Sequence, residues 1–572
     1  MAWSLYSAER MKKMEKDRFI HKFFPYISKL VIVIPMLYIM LLLTANAFLH
    51  TTGMEIVPEG QEVINIVNSK PCGMETVVYY NDVLLTNIIW FLLFFAVFFV
   101  FADRAKKIRF KYLLIFVFLW TFIFGFIWVN SSMVAPTFDS MMVTEASEEF
   151  ARGDYGLLTT DMRYFKDYSF QLGYVFFNEI FIRIHLLFGE YTDLIFLQVI
   201  NVFMLAASYV GIMLINNKVF EDKRVGGVTA LLLTVNIAPV ISASFLYGII
   251  PGFCFAVWGL YMLLVFIDGK KISVTVPACI LSAFFLMLSV MLKTNNMIVL
   301  VAAVGIAVVN MAKKGKVLPG LFYIFIAVIL CSGVSSAVVK MYERRSGADL
   351  GEPIPFVSWF SLGMNEASNA PGWFNVDATV GNYELNDHDP EKAAESSKRQ
   401  IMDRLLYFCE DPQYANDFFY KKFVSQWNET TYQSLWNNKV RGQYANKKAL
   451  AYWACYENEA GVRRYMDIYA QFVFFAVLAG LVFLIKDNNF NASIFPLVIL
   501  GGVLYHIMAE AKSQYAMPYF ILMSGFAGYG LCKLYGVLRP HMKRFEKNKE
   551  ISTEDIEDRD AEECQDPENT AE

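Results

Sequence analysis

Long, almost uncharged apolar blocks recur along this chain and limit its fold more than any motif does. Leu113–Val129 and Leu194–Ile215 are examples, each close to the ~20 residues that cross a hydrocarbon layer as a helix. Lipid offers the backbone no hydrogen-bond partner, so each block has to satisfy its own N–H and C=O groups. Of the 572 residues, 56% are hydrophobic and 18% charged, against about 25% charged in soluble domains. The expected fold is an all-α polytopic membrane protein with about 12–13 transmembrane helices. Nothing in the charge pattern suits a nucleic-acid surface.

The positive-inside rule supplies an orientation. Arg10, Lys12, Lys13, Lys16, Arg18 and Lys22 place the N-terminus in the cytoplasm, and Leu30–Phe48 follows as a retained anchor rather than a cleaved signal. Glu55, Glu59, Glu62 and Glu75 then lie outside, Arg104–Lys111 inside, and the chain emerges again before Asp139. The block 171–188 carries Asn178, Glu179, Arg183 and His185, and Glu179 and Arg183 stand one helical turn apart, able to pair. If this block lies along the interface, Lys293–Asn296, residues 341–467 and Glu510–Pro518 all fall outside with Asp139. If it spans, every later assignment inverts; Lys340, Arg344, Arg345, Arg463 and Arg464 beside the large loop favour that inversion. The first layout gathers the polar features on one side and is preferred.

That layout divides the chain into five parts. Residues 1–29 form a basic cytoplasmic N-terminus, and 30–340 a transmembrane module with an external loop, 131–172, that holds the candidate site. An external soluble region, 341–467, contains Trp359, Trp373, Trp427, Trp436 and Trp453. Transmembrane helices 468–536 follow, then a cytoplasmic acidic tail, 537–572, whose Glu550–Glu572 stretch has the composition of a disordered end. Of the eight cysteines, Cys409 and Cys455 share the polar region, where a disulfide and two free thiols are both open. No Cys/His cluster has metal-ligand spacing.

Asp139 is the first candidate site residue, because a carboxylate at a membrane exit is costly to keep. Ser140 to Arg152 has the pattern of an amphipathic helix on the outer leaflet, with Met142, Val143, Ala146 and Phe150 on one side and Glu145, Glu148 and Glu149 on the other. Asp139 would start it, so a helix cap and a catalyst are equally open readings. Asp154, in Gly153-Asp154-Tyr155, reads first as a turn residue and second as a catalytic carboxylate. Lys293 ends an apolar block and either snorkels to headgroups or binds a lipid-linked phosphate. Near the C-terminus, His506 and Glu510 share a helical face as a structural pair, whereas Lys512 points elsewhere and is the better phosphate ligand.

Pro136-Thr137-Phe138-Asp139-Ser140 resembles the first-loop acidic motif of the GT-C glycosyltransferases. Tyr168-Ser169-Phe170-Gln171-Leu172-Gly173 sits where many members begin their next helix, and Glu510-Ala511-Lys512-Ser513-Gln514-Tyr515-Ala516-Met517-Pro518 resembles a late external motif of Gram-positive members. The superfamily includes the protein O-mannosyltransferases and the lipid A aminoarabinose transferases. The resemblance implies a sugar donor on polyprenyl phosphate and an acceptor among envelope glycans, lipids or proteins, in the plasma membrane with the site facing outward. It makes Asp139 the general base, Lys293 or Lys512 the phosphate ligand, and Asp154, Glu510 and Tyr515 supporting residues; a divalent metal stays open. The chain departs from the pattern in having Asp139-Ser140 for an acidic pair and two additional leading spans, and the resemblance implies that 171–188 crosses. A flippase or transporter and a polysaccharide polymerase are the competing readings.

Overall fold

The computed structural model describes residues 26–563 except 57–62, 65–70, 73–74, 160–162, 192, 315–316, 444–447 and 488. The basic stretch Arg10–Lys22, the acids Glu59 and Glu62, and the end from Cys564 lie outside the described residues. Eleven of the described helices are long and apolar enough to cross a membrane. The chain is an all-α polytopic membrane protein, with an antiparallel pair of β1 (His50–Ile56) and β2 (Glu75–Asn81), and a short pair of Val63–Ile64 with Pro71–Cys72 between them, after the first helix, α1 (Tyr26–Leu49).

Two apolar helices, α2 (Leu84–Ala105) and α3 (Phe110–Ser132), lead to α4 (Asp139–Arg152) and α5 (Leu172–Leu186). After α6 (Ile195–Val219), a crossing is made in two pieces, α7 (Lys223–Val235) and α8 (Ile237–Ser242), with a break at Asn236. This broken passage is not among the eleven helices that qualify by length and composition, because the break at Asn236 leaves no single long helix there. Four helices follow: α9 (Ile249–Asp268), α10 (Ile272–Leu292), α11 (Met297–Lys314) and α12 (Val317–Ser346). The region 341–467 folds as short helices, chiefly α13 (Val357–Met364), α14 (Pro390–Glu410), α15 (Pro412–Trp427) and α16 (Ser434–Arg441). The last crossings are α17 (Glu459–Lys486), α18 (Ile494–Met508) and α19 (Ser513–Glu563).

Burial orders these helices from rim to core. Only 11% of the most apolar window of α2 is buried, against 72% for α9, so α2 meets lipid and α9 meets protein. Lipid and leucine are equally apolar, so close packing holds the inner helices. Where α17 passes α19, Gly480 and Gly530 let the two backbones touch. The apolar face expected to lie in the outer leaflet, on α4, is instead buried against α5, with Val143, Ala146 and Phe150 fully enclosed. Gly153, at φ 87°, ends α4 in the left-handed turn that glycine tolerates.

α5 does not cross the bundle. Gly173 at its start meets the Met291 carbonyl at the end of α10, while His185 near its finish packs on Phe196 at the start of α6 with ring centroids 4.7 Å apart. The end of α3 and the start of α6 are themselves joined, since Gln198 donates to the Val134 carbonyl at 2.9 Å. Both ends of α5 therefore lie at one end of the bundle, as the interfacial layout requires and the family pattern does not. The expected Glu179–Arg183 pair is present, Arg183 Nε donating at 2.8 Å, and buried Glu179 also accepts from Tyr342 at 2.5 Å and Arg345 at 3.1 Å.

Two further expectations need correction or resolution. The backbone of α19 is helical through Glu563, where the acidic composition suggested an irregular end. Residues 541–563 contain no Gly or Pro and many Glu, Lys and Arg, all good helix formers. Cys409 and Cys455 are free thiols, the first exposed and the second buried.

A methyl group at Gly530 would meet the Ala476 carbonyl and the Gly480 backbone, neither of which can swing aside. Gly530→Ala should destabilise the purified protein by about 1–3 kcal/mol. Gly333→Ala, which points into open space on α12, should be neutral or mildly stabilising. Thermal unfolding in one detergent compares them; equal midpoints would rule out the close packing.

Candidate active site

A cavity of about 920 Å³ opens at the end of the bundle that carries α4 and α13–α16. Its wall draws on the 137–140 entry to α4, Tyr168–Gln171, Tyr247, Lys293–Asn295, the loops around α13 and α16, and the 505–515 connection. Asp139, Lys293, Glu510, Lys512 and Tyr515, far apart in sequence, all line it.

Asp139 is not a cap. It is the first residue of α4, the N-cap position belongs to Phe138, and no side chain caps there. Ser140 closes the turn instead, its Oγ accepting from the Thr137 N–H at 2.9 Å and donating to the Thr137 carbonyl at 2.8 Å. Phe138 reaches this turn at φ 49°, a conformation unfavourable for a bulky side chain and frequent at functional sites. The Asp139 carboxylate, exposed to the cavity, accepts from the Tyr247 hydroxyl at 3.5 Å, and Gln171 Nε2 donates to that hydroxyl at 2.9 Å. Burial, and then the Asp139 charge beside it, push the Tyr164 phenol well above its ordinary pKa.

Lys293 does not snorkel. Its Nζ lies over the rings of Tyr247, at 4.2 Å, and Tyr515, at 4.8 Å, where the π faces replace part of its hydration. Burial lowers its pKa, while the Glu510 and Asp139 carboxylates oppose that shift. Glu510 sits in the turn between α18 and α19; burial raises its pKa against the pull of Lys512 and Lys293. His506 and Glu510 do not pair through side chains as expected. The helix stops at Met508, so His506 Nδ1 meets the Glu510 backbone carbonyl at 2.8 Å and the carboxyl is left to the cavity.

Asp154 belongs to a turn: its Oδ1 accepts from the Gly156 N–H at 2.9 Å, and it is not among the lining residues. Arg345, Arg463 and Arg464 bind Glu179, Glu459 and Asp82 at 3.1, 2.9 and 3.4 Å. Among the described residues no three His, Cys, Asp or Glu side chains gather as metal ligands.

Sequence reasoning missed Tyr247 and Arg441. The Arg441 guanidinium lies 5.0 Å from the Phe245 ring, 5.4 Å from Trp436 and 6.0 Å from Phe138, on the wall near Asp139. No spacing signals this, because Arg441 reaches the site through backbone pairing of its segment with 132–135, the Ala135 N–H donating to its carbonyl at 2.9 Å. Trp359, Trp373 and Trp436 line the cavity, whereas Trp427 packs on Tyr519.

The wall around α16 depends on Glu429. This buried carboxylate accepts from Thr431, both N–H and hydroxyl, from the Gln433 N–H at 2.7 Å and from Ser513 Oγ at 2.9 Å. Burial nevertheless raises its pKa, outweighing those bonds and the Arg463 charge.

No family model and no curated protein matches the chain. Two solved structures of an Archaeoglobus fulgidus oligosaccharyltransferase are similar to it in part. One, in complex with an inhibitory peptide and a dolichol-phosphate, has TM-score 0.36 and 12% identity and covers 77% of this chain and 52% of its own. The other, the apo form, has TM-score 0.32 and 12% identity and covers 66% and 43%. The chain spans about half the length of these structures.

The Glu429 shift has a signed consequence. With a folded pKa above the unfolded value of about 4.3, the folded state holds a proton that the unfolded state releases. Its contribution is complete below that unfolded value and is lost as pH rises through the folded pKa. Glu429→Gln should flatten this part of the stability–pH curve, read as thermal midpoints at stepped pH. Parallel curves for the two proteins would refute the assignment.

Proposed function

We propose that the protein is an integral membrane glycosyltransferase. It moves a sugar from a polyprenyl-phosphate carrier to an acceptor outside the cytoplasm, whether envelope glycan, lipid or protein, and inverts the anomeric centre. The observation that carries the reading is the meeting of the open Asp139 carboxylate with Lys293 and Lys512 in a single cavity at a bundle end.

The chemistry follows from these groups. Asp139 accepts the proton of the acceptor hydroxyl as its oxygen attacks the anomeric carbon from the face opposite the phosphate. The carbon–oxygen bond to phosphate breaks, and its electron pair leaves with the phosphate. Lys293 and Lys512 stabilise that charge, and the aromatic setting of Lys293 makes the electrostatic contribution larger than in water. Tyr247 orients both groups, its hydroxyl on Asp139 and its ring under Lys293. On the charge-based orientation, the cavity faces outward across a plasma membrane.

Transfer from polyprenyl-phosphate sugar should be measurable in detergent, where no sealed compartment exists. Asp139→Asn should lower it by about 10²–10⁴ with expression unchanged. A purified protein that transfers nothing with varied donors and acceptors, yet moves labelled lipid-sugar between vesicle leaflets, would be a flippase.

The lysines give a separate test. Lys293→Met or Lys512→Met keeps the stem and removes the charge, and should weaken donor binding or rate roughly ten- to a hundred-fold at one position at least. Because burial lowers Lys293, wild-type donor affinity should fall, as pH rises, before the ~10.4 of a free lysine. Wild-type donor kinetics in both variants would remove the phosphate role.

A further inference from the structure

Lys422, on α15, is buried and takes no part in the chemistry above. An ammonium carries three N–H donors, and here all three go to main-chain carbonyls. These belong to Gly363 of α13, Ile507 at 3.0 Å and Ala509 at 2.9 Å. The next residue after Ala509 is Glu510, and Lys512 follows two later. The same turn is held by His506 on the Glu510 carbonyl and by the Gly372 carbonyl, which accepts from the Ala511 N–H at 2.8 Å. Gly363 and Gly372 lie so close to the Ala509 backbone and the Lys422 stem that a Cβ at either would collide. A buried cation without a carboxylate among its hydrogen-bond partners is costly, and three aligned carbonyls are what makes it tolerable.

We propose that Lys422 is a positioning residue: it pins the 507–511 turn to α13 and so fixes Glu510 and Lys512 against the cavity. The inference deepens the glycosyltransferase reading and rests on it only for its kinetic consequence. Without the ammonium, three carbonyls lose their common donor and the turn is free to move relative to Lys293. The groups on α10 and α4 stay where they are.

The test uses the full chain in detergent. A cysteine replaces Lys512, and its modification rate by a charged maleimide is read at that residue by mass spectrometry, with buried native Cys455 as control. In Lys422→Met the rate at 512 should rise severalfold while Cys455 stays protected, and Lys422→Arg should restore part of the wild-type rate. With Lys512 intact, Lys422→Met should raise the donor KM about ten-fold or more and leave the acceptor KM unchanged. If the Met form does not fold, Lys422→Gln, which keeps two N–H donors, is read in the same way. A folded variant with wild-type reactivity at 512 and wild-type donor KM overturns the proposal, as does equal loosening at Cys455. Faster labelling at position 512, with no sugar transfer by the wild-type protein, would uphold the positioning role and reject the glycosyltransferase reading.

Discussion

The cavity end of this protein depends on a buried carboxylate, Glu429, that joins the region outside the crossings to the bundle. The 428–433 segment packs deep enough for the Tyr432 ring to lie, tilted by 40°, against Phe520 of α19, at 5.1 Å between centroids. A chain at that depth has little water to bond, so its polar groups need protein partners. Glu429 answers two residues of its own loop, Thr431 and Gln433, and Ser513 at the start of α19. Thr430 donates to Asp467 of α17 at 2.5 Å, and Thr51 of β1 stands 3.1 Å from the other oxygen of that carboxylate. Two helices, a hairpin and a loop thus share one polar knot. Removing a single partner would leave a buried charge unanswered, which is far costlier than losing an exposed pair.

The same constraint shapes how the cavity carries its charges. Lys293 is flanked by aromatic faces, and Ser140 rather than Asp139 closes the turn at α4. Lys293 and Asp139 are therefore each supported by uncharged neighbours, Tyr247 and Tyr515 above all. The strained Phe138 is part of this arrangement, since it starts α4 without requiring Asp139 to cap it.

Much of this was legible in the sequence because cost is legible. Charged residues at the ends of apolar blocks are expensive, which singles out Asp139 and Lys293 in the sequence, while the late motif points to Lys512 and sets Glu510 beside His506. Tyr247, Arg441 and Lys422 were not recognised, each for its own reason. A tyrosine near a membrane boundary is ordinary; Arg441 reaches the wall through strand-like pairing between segments some 300 residues apart in sequence; and Lys422 lies mid-helix in a polar stretch where burial has no pattern. The break at Asn236 leaves that passage without one long helix, and Asp154 is the turn residue of its first reading.

Glu179 shows why the layout of the whole chain turns on one short helix. A buried glutamate with Arg183, Arg345 and Tyr342 around it could belong to a crossing helix, and periodicity alone does not exclude that. What decides is where its partners come from. Arg345 and Tyr342 close the cavity end of α12, and the Arg183 guanidinium also donates to the Phe150 carbonyl of α4 at 2.7 Å. All three belong to one end of the bundle, so Glu179 ties α5 down across that end. With α5 lying there, the crossings that follow alternate so that the ends of α10 and α12 and the α18–α19 turn reach the cavity together. Had α5 crossed, Lys293 and Glu510 would have been carried to the end opposite Asp139, and the cavity would have lost two of its charged walls.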